Sequence, residues 1–160
     1  AIIVFDPQSP RFTEYKGLSW FPVDFGLRFV APLTPNPEPD TVLITSTHSQ
    51  PRQAVRAGWF VVEVKGKRCI LEVNRLLEPG VGERDLSVFF RDGTTGKESY
   101  DVGRYVEPQR LPDGNDVIDF NNAYNPACAV SPHYNCPIPP KFNRLKVPVR
   151  AGEMNHHYLH

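Results

Sequence analysis

Proline and glycine are spread along the whole chain, and their spacing limits what it can fold into. The 160 residues include 17 prolines and 11 glycines, and the longest stretch without either is residues 67–78. Proline inside a helix costs about 3 kcal/mol and glycine about 1 kcal/mol relative to alanine, so long helices are disfavoured. We therefore expect an all-β fold with little helix, in which only residues 11–17 favour one or two helical turns.

Period-two alternation of apolar residues predicts two β-hairpins. In the first, residues 59–64 and 68–73 flank a turn at residues 65–67 that contains Gly66. In the second, residues 85–90 and 97–102 flank the turn 92–96, where two glycines tolerate positive φ.

Four further strands are predicted, at residues 27–31, 41–47, 116–120 and 144–150. Pro148 cannot donate to a strand ladder, so the last of these is expected at a sheet edge or at a bulge. Seven or eight short strands separated by turns are typical of an antiparallel barrel or sandwich. We predict a small antiparallel β-barrel or half-barrel that forms one domain over residues 1–153. Residues 154–160 are predicted to be a flexible tail. The alternative, in which the three histidines His156, His157 and His160 bind a metal, is less favoured.

The charge balance argues against nucleic-acid binding. Lys plus Arg and Asp plus Glu each number 18, so the chain lacks the basic field that such binding needs. No apolar run reaches the roughly 18 residues of a transmembrane helix. The sequence starts at Ala1 without a charged and then apolar leader, and three explanations stay open: a removed leader, a trimmed sequence or a cytosolic protein. No phosphate-binding, dinucleotide, zinc-protease or nucleophile-elbow motif occurs, so no cofactor, metal or catalytic residue is assigned. The oligomeric state stays open.

The segment 120–143 is rich in proline and asparagine and is predicted to be an ordered, proline-rich C-terminal strap. The prolines stiffen extended backbone, and asparagine side chains can hold turns by bonding to their own backbone. We expect it to lie over one end of the barrel, either as a structural plug or as the lid of a ligand site.

Cys128 and Cys136 have seven residues between them, including His133. Three interpretations stay open: a disulfide, two buried free thiols, or a metal site with His133. A disulfide closing this short loop would contribute roughly 2.5 kcal/mol in the chain-entropy model. Cys69 falls in the alternating phase of a predicted strand and is expected in the core.

Several long segments of the sequence resemble the motifs of the family known as domain of unknown function 1684. They are "FPVD" at residues 21–24, "FFRDGTTGKESYDVGRY" at 89–105, "FNNAYNPACAVSPHYNCPIPPKFNRL" at 120–145 and "VRAGE" at 149–153. The chain departs mildly from the family's pattern at Ser99 and at residues 101–105. The resemblance implies no established activity. It does imply that many relatives are exported or lipid-anchored, so an exported or periplasmic location is slightly favoured, with this chain a C-terminal core or a short member.

The charged second hairpin is the predicted ligand site, in which a small, acidic or aromatic molecule would lie. Arg104 would act as a fork for a carboxylate or carbonyl, and Glu98 as a base if it were desolvated. The alternative is that these side chains are solvated or only pack. The predicted site residues are Arg91, Asp92, Lys97, Glu98, Tyr100, Arg104, Tyr105, Asn121, Tyr124 and Asn125.

Three classes of function follow from this sequence. The favoured one is a module that binds a small molecule. The second is a hydrolase- or lyase-like enzyme that uses acid and base groups of residues 91–105. The third is a structural component of the cell envelope whose motif residues only brace the fold. A cavity with apolar walls and polar groups at its rim would favour binding, and a desolvated Glu98 beside a cation would favour catalysis.

Overall fold

Antiparallel strands account for most of the regular structure in the computed structural model, which describes residues 6–155. The strands are β1 (Arg28–Ala31), β2 (Thr34–Pro35), β3 (Thr41–Ile44), β4 (Arg52–Val64), β5 (Lys67–Leu76), β6 (Val88–Phe90), β7 (Arg104–Val106), β8 (Gln109–Arg110) and β9 (Asp116–Asp119). The α-helix α1 spans Pro10–Thr13, and short 3₁₀ helices lie at Phe25–Leu27, Phe120–Asn122, Ala127–Ala129 and Lys141–Asn143. The all-β prediction with little helix is confirmed. The histidines of the tail lie outside the described residues.

The first predicted hairpin is confirmed by the two longest strands. β4 and β5 pair antiparallel from Val64 opposite Lys67 back towards Ala54 opposite Leu76. The turn between them consists of Lys65 and Gly66, both with positive φ, at 50° and 73°. Two consecutive residues with positive φ match the right-handed twist of the flanking strands, which is why a glycine stands at this turn.

The nine strands form three antiparallel sheets in the part of the chain that the structure describes. β4 pairs with β2, β3 and β5 in the first sheet, β9 lies between β1 and β8 in the second, and β6 pairs with β7 in the third. No sheet closes on itself within residues 6–155. The barrel or half-barrel is therefore not confirmed, although the antiparallel all-β architecture is.

Side chains from all three sheets meet in one apolar core. Phe60 and Leu71 come from the first sheet, Ile118 from the second and Phe90 from the third. Phe120 follows β9 directly, and its ring meets that of Phe90 edge to face, with centroids 5.0 Å apart. This shared core fixes the sheets against one another and so sets where their connecting loops lie.

The second hairpin differs from its prediction. β6 pairs with β7, which places Phe90 opposite Arg104. The predicted strand at residues 97–102 is wrong, because this stretch forms turns next to the carboxylate of Asp92. That carboxylate accepts hydrogen bonds from the hydroxyls of Thr94 and Thr95, and so satisfies polar groups without a partner strand.

The segment 144–150 keeps its predicted alternation but is not a strand. Leu145, Val147 and Val149 are all buried in the core, as the alternation predicts. The N–H of Val149 donates to Oδ2 of Asp92 at 2.6 Å, so a side chain replaces the ladder partner. Pro148 has no N–H to donate.

The proline-rich segment 120–143 is tied to the loop that follows β3. Ile138 N donates to the carbonyl oxygen of Thr45 at 2.8 Å, and Thr47 N donates to that of Cys136 at 3.0 Å. These bonds satisfy extended backbone that has no place in the three sheets. Its predicted role as a strap over the end of a barrel is not confirmed, since no barrel is closed in the described residues.

Candidate functional site

Arg104, one of the predicted ligand-binding residues, lies in the protein interior. Its side chain and that of Asp92 are both 0% exposed, and Nη2 lies 3.5 Å from Oδ1 of Asp92. β7 aims the side chain inward, between the rings of Phe21 and Phe90, whose centroids are 5.6 and 5.3 Å from the guanidinium carbon. Burial lowers the pKa of Arg104, and the charge of Asp92 opposes this shift.

The guanidinium of Arg104 is engaged by main-chain carbonyls of the C-terminal segment. Nη2 donates to the carbonyl oxygen of Val149 at 2.7 Å, and Nη1 donates to those of Ala151 and Glu153. These carbonyls occupy the donors that a ligand carboxylate would use. In this geometry Arg104 anchors residues 149–153 to the third sheet.

The other charged residues of the predicted hairpin site point away from one another. Glu98 lies near the surface and pairs with Arg150, with Nε–Oε2 and Nη2–Oε1 distances of 2.7 and 2.9 Å. Hydrogen bonding from Arg150 lowers the pKa of Glu98, so the carboxylate is stabilised as an anion. Lys97 is exposed, and Arg91 donates from Nε to the carbonyl oxygen of Val102 at 2.8 Å.

The predicted asparagines connect distant parts of the chain, and Asn121 also donates to Oδ1 of Asp119 in its own turn at 2.8 Å. Asn121 accepts a hydrogen bond from the N–H of Asp24 at 2.9 Å and donates to its carbonyl oxygen at 3.0 Å. Asn125 donates from its side-chain amide to the carbonyl oxygen of Met154 at 2.8 Å. Both residues brace the terminal segments against the core.

Three predicted tyrosines gather around the cysteine pair. Tyr100 donates from its hydroxyl to the carbonyl oxygen of Cys128 at 3.2 Å, and Tyr105 donates to that of Pro137. The ring of Tyr124 packs edge to face on Tyr105, with centroids 5.8 Å apart. Burial raises the pKa of each of these phenols, so they are kept as neutral donors.

Cys128 and Cys136 are buried free thiols, as is Cys69. No disulfide joins them in the structure, so the disulfide interpretation is not confirmed. Within residues 6–155, no three His, Cys, Asp or Glu side chains are grouped so that they could hold a metal ion.

A cleft of about 350 Å³ lies elsewhere, beside the hairpin of β8 and β9. We call it the Asp116 cleft. Its walls combine four apolar side chains with four charged ones, and it is lined by Leu33, Ala57, Glu83, Arg84, Leu86, Pro108, Arg110 and Asp116.

Asp116 is the buried charged group of this cleft, at 2% exposure. Its Oδ1 lies 3.0 Å from Nε of Arg110, across the β8–β9 pairing. Its Oδ2 is shielded from solvent and has no hydrogen-bond partner among the described residues. Burial raises the pKa of Asp116, and the charge of Arg110 opposes this shift.

The sequence analysis did not select Asp116, although a signal for it exists. Asp116 and Ile118 stand two residues apart on β9 and therefore point to the same face. Ile118 is fully buried in the core. An acidic residue in phase with a core isoleucine indicates a carboxylate held out of water, which is a mark of functional sites.

Comparison with known proteins identifies relatives of unknown function. A family model described as "Protein of unknown function (DUF1684)" matches residues 13–154. The solution NMR structure of an uncharacterized protein of Haloarcula marismortui is 35% identical and has a TM-score of 0.70. That match covers 89% of this chain and 78% of the other chain. No curated protein matches the sequence.

No helix within the described residues combines the length and the apolar composition that crossing a bilayer requires.

Proposed function

The chain belongs to the DUF1684 family of proteins of unknown function, and we propose that it is a module that binds a small molecule in the Asp116 cleft. The observation that carries this proposal is Oδ2 of Asp116, a buried carboxylate oxygen without a partner. Leaving a buried acceptor unsatisfied costs about 1–3 kcal/mol, and more for a charged group. Because Oδ2 is shielded from solvent, a ligand donor would recover that free energy only by displacing the part of the cleft wall that covers this oxygen.

The size of the cleft suits a small metabolite. Small-molecule sites usually measure about 300–1,000 Å³, and 350 Å³ lies at the lower end of this range. A purely structural envelope component requires no cavity beyond a few waters. Because each water occupies about 30 Å³, the cleft is larger than that hypothesis expects.

The lining of the cleft defines the class of ligand. The formal charges of Glu83 and Asp116 cancel those of Arg84 and Arg110, so the cleft favours a neutral or zwitterionic molecule. Asp116 calls for a hydroxyl or ammonium donor, and the arginines for a carbonyl or carboxylate acceptor. The apolar side chains accommodate a short hydrocarbon body.

Binding is favoured over acid–base catalysis on the second hairpin. A general base needs a pKa near the working pH, and Arg150 moves the pKa of Glu98 in the opposite direction. The charged groups of Arg91, Lys97 and Glu98 do not line the Asp116 cleft. The cleft instead combines apolar side chains with charged groups of both signs around one buried carboxylate, which suits recognition of a small polar molecule.

The proposal is tested by thermal shift with a panel of amino acids, amino alcohols and polyols. Asp116→Asn keeps the shape of the side chain but makes one of its two oxygens a donor. Asp119→Asn is the matched control on the same strand, where the carboxylate is partly exposed. A ligand at 100 times its Kd stabilises the folded state by about 2.7 kcal/mol, which raises Tm by roughly 5–10 °C for a chain of this size.

We expect at least one class in the panel to stabilise the parent protein and Asp119→Asn, with a smaller shift for Asp116→Asn. NMR titration of the parent should then move amide signals of residues that line the cleft. The proposal is overturned if no class shifts the parent, if all three proteins shift equally, or if the perturbed amides lie elsewhere.

A further inference from the structure

The cysteine pair is an arrangement that the proposed binding function does not use. Cys128 lies in the 3₁₀ helix Ala127–Ala129, and its backbone N–H donates to Sγ of Cys136 at 3.3 Å. The backbone of Cys136 is held in turn by Thr47, which accepts from its N–H at 3.0 Å and donates to its carbonyl oxygen at 3.0 Å. Two thiols from separate turns are thus fixed side by side.

The hydrogen bonds make the two sulfurs different. The backbone N–H of Cys128 donates to Sγ of Cys136 at 3.3 Å, and hydrogen bonding with the Cys128 thiol is the largest influence on the pKa of Cys136. Arg52 and His48 act electrostatically in the same direction. Together they lower the pKa of Cys136 to about 6, against the effect of burial. Cys128 donates to Cys136 and is buried, which raises its own pKa.

Tyr100 completes the site on the side of Cys128. Its hydroxyl donates to the carbonyl oxygen of Cys128 at 3.2 Å and lies 3.7 Å from Sγ. The nearby hydroxyl of Tyr105 donates to the carbonyl oxygen of Pro137, the residue after Cys136. These bonds hold both cysteines in place, and the longer bond from Tyr100 also gives Sγ of Cys128 a donor.

Cys69 provides an internal contrast. It is a buried core residue of β5 whose Sγ contacts the carbonyl oxygen of Lys67 at 3.4 Å. Burial raises its pKa. Its exposure of 8% is no lower than the 4% of Cys128 and the 7% of Cys136, so the contrast lies in the hydrogen bonds and the pKa and not in burial.

We propose that Cys128 and Cys136 form a reversible dithiol–disulfide pair, in which a small hydroperoxide oxidises Cys136 first and Cys128 resolves it. The proposal rests on the 3.3 Å contact from Cys128 N–H to Cys136 Sγ, which brings the two cysteines together and gives one of the sulfurs a donor. Donors that converge on one sulfur stabilise it as a thiolate, which is the nucleophilic form.

The chemistry needs one hydroperoxide for each pair. The thiolate of Cys136 attacks the terminal peroxide oxygen, so an S–O bond forms, the O–O bond breaks and the departing alkoxide takes a proton. Cys128 then loses its proton and attacks the sulfenic acid sulfur, so an S–S bond forms and water leaves. The two thiols lose two electrons, and the peroxide gains two.

Oxidation would close the loop 129–135 covalently. That loop exposes Val130 and Tyr134 to solvent, and its hydrogen bond from Thr47 Oγ1 to the carbonyl oxygen of Tyr134 is 3.1 Å long. The hydrogen bond from Cys128 to Cys136 would be replaced by the covalent bond.

The test is oxidation of the folded protein with one equivalent of hydrogen peroxide, followed by peptide mapping by mass spectrometry. We expect a peptide pair linked through Cys128 and Cys136 that has lost two hydrogens, an unmodified Cys69, and full reversal by dithiothreitol. In Cys128→Ser, dimedone should label a sulfenic acid at Cys136. In Cys136→Ser, Cys128 should stay unlabelled.

Peroxide treatment of the parent protein tests the proposal even if a variant fails to fold. A Cys69→Ala control must still form the linkage, and urea-unfolded parent should lose the selectivity between the three cysteines. Three outcomes would overturn the proposal. They are free thiols that persist after peroxide treatment of the folded parent, a disulfide that involves Cys69, and equal dimedone labelling of both single variants.

Discussion

The guanidinium of Arg104 and the carboxylate of Asp92 face each other at 3.5 Å in the interior, with neither side chain exposed to solvent. Asp92 also binds Val149 N, and Arg104 binds the carbonyl oxygen of Val149. The pair therefore closes a ring of contacts around one residue of the C-terminal segment. This ring acts together with the main-chain bonds from Phe21 N to Gly152 and from Glu153 N to Ala123. They hold the C-terminal segment, which lies outside the nine strands, against the core.

The first prediction is that Arg104→Met destabilises the protein strongly. Removing one partner of a buried ion pair leaves the other charge uncompensated, and we expect a loss of about 3–5 kcal/mol in the free energy of unfolding, measured by urea denaturation. Arg150→Met, which breaks the exposed pair with Glu98, should cost far less. Equal losses for the two variants would show that Arg104 has no special structural role.

The second prediction concerns Gly152, which lies between two of the residues whose carbonyls bind Arg104. Its φ is +76°, and a Cβ there would stand 2.4 Å from the carbonyl oxygen of Ala123. Gly114 has a similar φ of +88° but open space around it, so the two alanine variants share the backbone strain. We expect Gly152→Ala to lower Tm clearly more than Gly114→Ala, and the difference to report the steric clash alone.

Matching Tm values for these two variants would mean that residues 149–153 can move away without loss. Arg104 would then hold them only weakly, which would also count against the first prediction.

Part of this fold could be predicted from the sequence, because its signals are local. Strict alternation on both sides of Gly66 predicts the β4–β5 hairpin, since strand period and turn geometry depend on neighbouring residues only. The burial of Leu145, Val147 and Val149 follows from the same alternation.

The two candidate sites depend on contacts between distant parts of the chain. No local pattern shows that Arg104 meets carbonyls 45 to 49 residues later. An arginine in a charged hairpin resembles a surface residue until those carbonyls are in place. The cysteines and tyrosines could be named from the sequence. The difference between the two sulfurs could not, because it depends on how the Cys128 thiol and its backbone N–H meet Sγ of Cys136.

The third prediction concerns the pH dependence of stability at Asp116. Burial raises the folded-state pKa of this carboxyl above its unfolded value, so the folded state holds the proton more tightly. The contribution of Asp116 to stability is therefore present below the unfolded pKa, near 4, and is lost as pH rises through the higher folded pKa. Asp116→Asn lacks this titration. Asp116→Asn should therefore become more stable relative to the parent, by its free energy of unfolding, as pH rises from about 3.5 to 7.

Urea unfolding of the parent and of Asp116→Asn at several pH values checks the slope. If the difference in the free energy of unfolding between Asp116→Asn and the parent does not change with pH, the folded-state pKa of Asp116 is not raised. Arg110 would then compensate fully for the burial of the carboxyl.

The last prediction is that Cys136 is the thiol that reacts in weakly acidic solution. With its pKa lowered to about 6 by the Cys128 thiol, the rate of iodoacetamide alkylation of the folded protein should rise with a midpoint near pH 6. At pH 7, peptide mapping should show Cys136 modified on the order of tenfold or more faster than Cys69, whose pKa is raised by burial. Cys128→Ala removes the thiol donor but keeps the backbone N–H, so the midpoint should move to higher pH while a smaller depression persists. A midpoint that stays unchanged in Cys128→Ala would assign the thiolate to Arg52 and His48 instead, and would remove Cys128 from the reactive pair.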